Sequence, residues 1–297
     1  MRKELMAAAV VVAAVAVTVV AGCGTEDGTG VRTSAEAVVT GSPPATPYDG
    51  PLYVPHREVD EDSLRAMKTE SGAAGRALEC DGEMFSGGGG PGAWSEGDGG
   101  GTPREGLEAY FEIEQPDVPK DGYRVEREEE DRVLFSYDVQ GRTKVAVIVA
   151  KDRKNAPGWG PETSASCDPA ELPASFTDSQ GYEVWTDENG DRVPISEVVT
   201  SEGPAHCEWQ KAHFLHTGRD LEGDGKLYAR DPERVLPDEM LMTPYDGDVT
   251  MPEEAKDTGY RLDDWELWFT DDTSTAYVRT ADGVEAWPAV REESRCL

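Results

Sequence analysis

Residues 132–150, RVLFSYDVQGRTKVAVIVA, decide the fold of this 297-residue chain. In residues 132–139, alternate positions from Val133 onward are apolar or aromatic, which is the period of a strand with one buried face. Gln140-Gly141 suits a short reversal of the chain. Residues 144–150 are apolar enough for a central strand that is covered on both faces. Together these residues predict an antiparallel hairpin at the centre of a sheet.

The residues before this hairpin predict a helix and a further strand. Thr102 and Glu105 form a capping box around Pro103, and apolar residues follow at helical spacing, so we expect a helix over about 103–113. Residues 123–127 are typical of a strand. A helix beside antiparallel strands predicts the α+β fold class.

A similar order of features recurs in the second half of the chain. The matching residues are Pro119, Asp121, Gly122, Tyr123 and Arg124 in the first half and Pro252, Asp257, Gly259, Tyr260 and Arg261 in the second. Each set precedes a hairpin-like pair of strands, which in the second half is residues 266–269 and 275–280. Each half then reaches a tryptophan and a cysteine, Trp159 with Cys167 and Trp287 with Cys296. We interpret the chain as two small antiparallel-sheet modules that arose by divergent duplication, the alternative being that these residue types recur in small sheets by chance.

The first residues have the layout of a secretory signal. Arg2 and Lys3 precede an apolar run over 5–19, and small residues stand before Cys23. The ending Val20-Ala21-Gly22-Cys23 resembles the lipobox of bacterial lipoproteins, in which the signal is cut before the cysteine and the cysteine is S-diacylated. This resemblance implies lipidation of Cys23 and a place on the extracytoplasmic face of the cell membrane. A plain transmembrane anchor is the alternative, because an apolar run of about 18 residues is at the lower limit for spanning.

The chain as a whole resembles uncharacterised, acidic lipoproteins of high-GC Gram-positive bacteria, and this likeness implies no activity. The predicted organisation is a signal peptide over 1–22, a flexible tether over 23–59, a first module over 60–170 and a second over 171–297. The glycine-rich residues 86–101 are predicted to form a loop in the first module. In the second module, Asn189-Gly190 predicts a type I′ hairpin turn between strands at 182–186 and 192–199. Residues 209–215 and 226–230 are further predicted strands.

Four cysteines remain once Cys23 is lipidated, and an even number outside the cytoplasm indicates two disulfides. Four cysteines allow three pairings. Cys80 and Cys167 are separated by nearly the same length of chain as Cys207 and Cys296. The matched spans favour sequential pairing, with one disulfide closing each module.

The charge of the chain limits its partners. Asp and Glu number 60 against 28 Lys and Arg, which gives a net charge of −32. Nucleic acid is excluded as a partner because phosphate binding requires basic residues. An anionic membrane surface would also repel the chain, so membrane attachment is assigned to the N-terminal lipid. The expected partner is a basic or neutral protein or a cell-wall component.

Two clusters resemble metal sites. Asp220, Glu222, Asp224 and Asp231 follow the spacing of an EF-hand loop, but Glu222 and Asp231 depart from the usual ligand types and no helices are predicted on either side. This spacing is a weak calcium candidate, and a hairpin turn leading into the strand at 226–230 is the favoured interpretation. The second cluster consists of three histidines close to Cys207 in sequence: His206, His213 and His216. On a strand, His213 and His216 would point to opposite faces, which favours ordinary surface histidines and no metal.

No nucleophile motif supports an enzyme. The chain after residue 22 contains neither Gly-x-Ser-x-Gly nor Ser-x-x-Lys. Four tryptophans, Trp185, Trp209, Trp265 and Trp268, are predicted to be core residues and not platforms for sugar. We therefore predict a non-enzymatic binding or interaction module that needs no cofactor. The alternatives are an envelope hydrolase that uses two carboxylates in an aromatic cleft on cell-wall glycan, and a calcium-dependent ligand binder.

Overall fold

The structure, a computed structural model, describes residues 47–55, 64–89, 94–218 and 225–291. The predicted signal peptide, Cys23 and most of the predicted tether lie outside the described residues. Within the described ranges, no helix is both long and apolar enough to cross a membrane. The helices are α1 (Leu64–Glu70), α2 (Gly72–Ala77), α3 (Pro103–Ile113) and α4 (Ala174–Thr177). The strands are β1 (Met84–Gly89), β2 (Tyr123–Glu128), β3 (Arg132–Val139), β4 (Arg142–Arg153), β5 (Ala156–Cys167), β6 (Tyr182–Val184), β7 (Val198–Glu202), β8 (His213–Thr217), β9 (Lys226–Arg230), β10 (Lys256–Leu262), β11 (Trp265–Phe269), β12 (Thr275–Arg279) and β13 (Val284–Pro288).

Strands β1 to β5 form an antiparallel sheet in the order β1-β5-β4-β3-β2, which we call the first sheet. The predicted central hairpin is confirmed, because β3 and β4 pair along their whole overlap up to Val139 and Arg142. Gln140 and Gly141 both have positive φ angles, 53° and 77°. This combination matches a type I′ turn, whose twist suits the flanking strands.

Both faces of the first sheet are buried. Val133 and Phe135 of β3 pack with Leu107 and Phe111 of α3 on one face. Leu134, between them in sequence, packs on the other face with Ala73 and Ala74 of α2 and with Leu52. Helix α3 begins at the predicted capping box, since Thr102 accepts from the Glu105 N–H and the Glu105 carboxylate accepts from the Thr102 N–H.

The predicted glycine-rich loop over 86–101 is wrong in its first part, because residues 86–89 belong to β1 and pair with β5. Glycine is used here for close packing as well as for turns. A Cβ atom on Gly87 would collide with the hydroxyl of Ser164 on β5. Two small residues on facing strands therefore allow the two backbones to lie side by side.

The second half of the chain contains two further antiparallel sheets. The second sheet has the order β6-β7-β8-β9 and the third sheet the order β10-β11-β12-β13. They share one core, in which side chains of both sheets meet: Trp185, Val193, Val198, Leu215, Tyr228, Leu267, Ala276, Val278 and Trp287. The predicted strands at 226–230, 266–269 and 275–280 are confirmed, with β12 ending at Arg279. The strand predicted at 209–215 begins later, at His213.

The predicted hairpin over 182–199 forms only near its tip. The Val193 N–H donates to the Trp185 carbonyl, but β6 pairs with β7, which begins at Val198, and not with the residues immediately after Val193. Pro194 lacks an N–H group, and the chain turns there before β7 begins. The turn itself is not of type I′, since of Asn189 and Gly190 only Gly190 has a positive φ angle.

Antiparallel sheets with a few short helices thus make up the fold. Cys80 and Cys167 form a disulfide, as predicted, at the point where β1 and β5 begin to pair. The described residues do not divide clearly into two modules with one disulfide each, because the second half contains two sheets where the first contains one.

Candidate functional site

A cavity of about 320 Å³ lies beside the first sheet, next to the chain that leaves β5. Its floor is formed by β1 and β5, one wall by the end of α3, and the other by residues 169–196. Apolar and aromatic groups supply much of its surface, and they include Phe85, Tyr110, Leu172, Phe176, Tyr182 and Ile195. Hydroxyl and amide groups complete it, among them Ser86, Ser164, Ser166, Gln115 and Gln180.

Small residues on two neighbouring strands leave this space open. Strand β5 carries serine or alanine over residues 164–166, whereas residues 161–163 just before them are larger. Strand β1 places Ser86 opposite Ala165 and Gly87 beside Ser164, while Phe85 opposes Ser166. Helix α3 ends at Ile113, so its apolar side chains do not extend over this corner of the sheet. The cavity follows from the short side chains of the strands and the short length of the helix.

The wall opposite α3 is held by buried polar contacts. The Asp168 carboxylate accepts hydrogen bonds from the backbone N–H groups of Ala170 and Ile195, at 2.7 Å and 3.2 Å. Burial raises the pKa of Asp168, and these two hydrogen bonds oppose the rise. Arg192 donates to the Pro169 carbonyl, which ties residues 169–172 to residues 192–196. The wall is therefore fixed to the end of β5.

The Cys80–Cys167 disulfide lies next to a second network under the cavity. Lys144, which is buried, donates to the carboxylate of Glu171 and to the carbonyl of Glu79. The Glu171 carboxylate also accepts from the N–H of Asp81. Within the described residues, Cys80, Cys167 and Glu171 are the one group spaced for a metal ion, and its two sulfur atoms are already joined to each other.

A carboxyl group stands behind the cavity wall at the end of α3. The hydroxyl of Ser164 donates to Glu114 over 3.3 Å. Burial raises the pKa of Glu114 from 4.5 to about 7, and the hydrogen bond from Ser164 opposes this rise only in part. The charge of Glu114 in turn adds to the burial that raises the pKa of Tyr110. Glu114 therefore changes its charge near neutral pH, next to a residue of the cavity.

The charged lining of the cavity is acidic. Glu83 is its one charged lining residue among those described, and no lysine, arginine or histidine of the described ranges lines it. The Glu83 carboxylate has neither a hydrogen bond nor an ion pair with any described residue, although its charge helps to raise the pKa of the nearby Asp168. A carboxylate without a counter-charge thus faces the cavity, and a second one lies behind Ser164.

The residues singled out in the sequence lie elsewhere. Cys207 is disulfide-bonded, and its partner lies outside the described residues, as does Cys296, so the pairing of these two remains a prediction. Of the calcium candidate residues, Asp220, Glu222 and Asp224 are also outside. Asp231 is buried and accepts from the N–H groups of Val235 and Leu236, so its carboxylate already stabilises a turn.

The histidines and three of the four tryptophans follow the sequence predictions, whereas the prediction of Trp268 as a core residue is wrong. On β8, Phe214 and Leu215 pack into different cores, so the neighbouring His213 and His216 lie on opposite faces, as predicted. His213 lies 3.3 Å from Glu183 and meets the ring of Trp265 edge-on. Trp185 and Trp265 pack in the core shared by the second and third sheets. Trp209 lies beside Phe214, and Trp268 lies beneath the Arg279 guanidinium.

The cavity residues were missed by the sequence analysis, although one signal pointed to them. Leu107, Tyr110 and Phe111 form the apolar stripe of α3, and Glu114 continues the same stripe at the end of the helix. A carboxylate at the last position of a buried stripe indicates a group in an unusual environment.

The chain matches no family model, no curated protein and no solved structure.

Proposed function

We propose that this protein is a lipid-anchored, extracytoplasmic binding protein that holds a small ligand in the cavity beside the first sheet and does not turn it over. The observation that carries the proposal is the cavity itself. Its volume of about 320 Å³ falls at the lower end of the range for small-molecule sites. Its mixture of apolar walls and a few polar groups is also typical of such sites.

The side chains around the cavity favour binding over turnover. Ser86, Ser164 and Ser166 line it, but among the described lining residues there is no histidine or lysine to take a proton from a serine hydroxyl. The Ser164 hydroxyl is already directed at Glu114. Hydrogen bonding, apolar contact and the charge of Glu83 are the interactions that this lining offers.

A fragment screen against the full-length chain in detergent tests the cavity. Compounds that bind by ligand-detected NMR should lose binding in Ser166→Leu, because the leucine side chain extends into the space that a ligand would occupy. Gln180→Trp narrows the same cavity from the opposite wall, at a partly exposed position, and guards against a folding defect in the first variant. Ser95→Leu, at an exposed position, is the matched control. Binding that survives both cavity variants would overturn the proposed site.

The lipid anchor rests on the lipobox residues Val20 to Cys23 and has its own test. Cys23→Ala should abolish acylation and leave residues 1–22 attached. Mass spectrometry of the membrane fraction measures both outcomes. An unmodified Cys23 on a chain that retains residues 1–22 would overturn the anchor and the extracytoplasmic location together. The expected partner in the envelope remains a basic or neutral protein or a cell-wall component, given the net charge of −32.

An envelope hydrolase acting on cell-wall glycan is the second candidate, and Glu114 is the observation that favours it. A carboxyl group with a raised pKa can act as a general acid, and Glu83 would be the second carboxylate. Release of soluble sugars from cell-wall glycan, lost in Glu114→Gln, would establish this function. A calcium-dependent binder is the third candidate. It requires calcium binding that disappears in Asp220→Asn.

The interpretation as two duplicated modules is also a proposal. In its support, β2 to β5 and β10 to β13 are each four consecutive strands paired in chain order. Gly122 and Gly259, which precede the matching tyrosines, both have positive φ angles, 88° and 83°. Trp159 and Trp287 both lie on the last strand of their set. Peptide mapping without reduction tests the remaining Cys207–Cys296 pairing.

A further inference from the structure

We propose that the cavity selects a ligand with a positively charged nitrogen, an organic ammonium group joined to a small apolar body. This inference rests on the proposed binding function and adds the charge class of the ligand. Glu83 lines the cavity without a hydrogen bond or an ion pair to any described residue. Glu114 receives one hydrogen bond, from a neutral serine hydroxyl, and no ion pair among the described residues.

Elsewhere in the first sheet, buried carboxylates are paired with cations. Glu162 binds both Arg132 and Arg153, and Asp138 binds Arg124 through two hydrogen bonds. This is the usual arrangement, because an unpaired buried charge is costly. Glu83 and Glu114, which are partly buried, have no such cation among the described residues, and unlike the buried Asp168 they accept no backbone N–H groups in its place. A ligand cation would supply the counter-charge that the chain itself does not.

The nearby cations of the chain make their contacts away from the cavity lining, although the Nε atom of Arg192 is buried without a hydrogen-bond partner in the described ranges. Lys144 is bound to Glu171, Asp81 and the Glu79 carbonyl. Arg192 donates through one nitrogen to the Pro169 carbonyl and the Thr177 hydroxyl. Neither residue is among those that line the cavity. An anionic ligand would therefore meet the Glu83 carboxylate in the lining, with Glu114 behind it, and no lining cation among the described residues.

The remaining lining suits the apolar body of such a ligand. Phe85, Tyr110, Phe176 and Tyr182 present aromatic rings to the cavity. The face of an aromatic ring attracts an organic cation, and the same rings bury hydrocarbon. The cavity volume of about 320 Å³ accommodates a single substituted ring or a short alkyl chain and excludes a large polymer.

Three probes of nearly the same shape test the inference: benzylamine, which is protonated at neutral pH, benzyl alcohol, which is neutral, and benzoate, which is anionic. Each is titrated into the full-length chain in detergent at 0.15 M salt, with binding followed by NMR. The salt limits general attraction of cations to the acidic surface. We expect benzylamine to bind at least about tenfold more tightly than benzyl alcohol, which corresponds to the attraction of one partly buried charge pair, and benzoate to bind most weakly.

Variants then locate the source of the preference. Glu83→Gln should reduce benzylamine affinity several-fold and leave benzyl alcohol unchanged, and Glu114→Gln should act in the same direction. Glu112→Gln is the matched control, because it removes an exposed carboxylate from the same helix. A similar loss in Glu112→Gln would overturn the inference by showing that general surface charge attracts the amine.

The outcomes separate this inference from the proposed function. Equal binding of benzylamine and benzyl alcohol, both blocked by Ser166→Leu, would overturn the charge preference and leave the binding site intact. A neutral compound from the fragment screen that binds while benzylamine does not would have the same meaning. Failure of every compound in the screen and of all three probes would overturn both.

Discussion

The first sheet and the pair formed by the second and third sheets bury their apolar residues in different ways. The first sheet is covered on both faces, so residues 143–150 of β4 are buried without interruption. The second and third sheets cover each other, so β12 alternates, with Ala276 and Val278 buried and their neighbours more exposed. One chain thus combines a sheet covered by helices with a pair of sheets that share one core.

The two regions also differ in their ion pairs. The Arg124–Asp138 and Arg132–Glu162 pairs of the first sheet are largely buried. On the third sheet, the Arg279–Glu266 pair is substantially open to solvent. The second region also has a largely buried pair, Arg230–Glu285, but this pair joins two sheets, whereas the buried pairs of the first region join strands of one sheet.

The largest expected effect comes from removing the disulfide of the first region. The double variant Cys80→Ser with Cys167→Ser opens a loop of 87 residues. On the chain-entropy model it should lower the free energy of unfolding by roughly 4–5 kcal/mol. Urea denaturation followed by circular dichroism measures the change. A loss below about 1 kcal/mol would mean that the unfolded chain is already compact without the cross-link.

Truncation of one core leucine in each region asks whether the regions unfold together. Leu134→Ala and Leu267→Ala each remove a fully buried side chain and should each cost about 2–5 kcal/mol. The Asp168–Ile195 contact links the regions, so we expect each variant to weaken both equally. Hydrogen exchange with mass spectrometry reports each region separately. Destabilisation confined to the mutated region would show that they are independent domains.

The pKa of Glu114 predicts a pH-dependent stability of the first region. Its folded value of about 7 is above the unfolded value of 4.5, so the folded state holds the proton more tightly. Stability should therefore fall as pH rises from about 4.5 to 7 and then level off, by up to about 3 kcal/mol. Glu114→Gln should remove this decline and be more stable than the wild type at pH 8, whereas Glu112→Gln should keep it. Unfolding free energies measured across this pH range test the prediction. An unchanged pH profile in Glu114→Gln would contradict the raised pKa of Glu114.

The smallest expected effect is on the exposed face of the third sheet. Glu266→Gln removes the ion pair with Arg279, and the cost should be below about 1 kcal/mol because both groups are solvated. Thermal unfolding at low and high salt measures it. A larger loss would mean that this face is ordered by charge in the same way as the first sheet.

Local patterns explain which parts of the fold were predictable. The hairpin at 132–150 and the helix at 103–113 depend on residues close in sequence, and both are confirmed. The strand β1 was missed, since its glycines resemble a loop and its partner β5 is far along the chain. The hairpin near Asn189 was predicted too long because Pro194 interrupts it.

The cavity was beyond sequence analysis for a related reason. It is assembled from β1, α3, β5 and residues 169–196, and no single stretch shows that these meet. Glu114 carried a local signal, as a carboxylate in an apolar helical stripe. The lack of a cationic partner for Glu83 could be recognised only from its neighbours in the structure. Local chemistry indicated one residue of the site, and non-local packing defined the rest.

The position of β1 affects the order in which the first sheet can assemble. During synthesis from the N-terminus, β1 is made before the other strands, yet among the described strands it pairs only with β5, the last strand of the sheet. The strands β2 to β5 pair with their sequence neighbours and need no earlier segment, whereas the β1 pairing closes a long loop and is entropically slower. The cavity floor is therefore completed only after residue 167 has been made, so a nascent chain forms this cavity at a late stage of assembly.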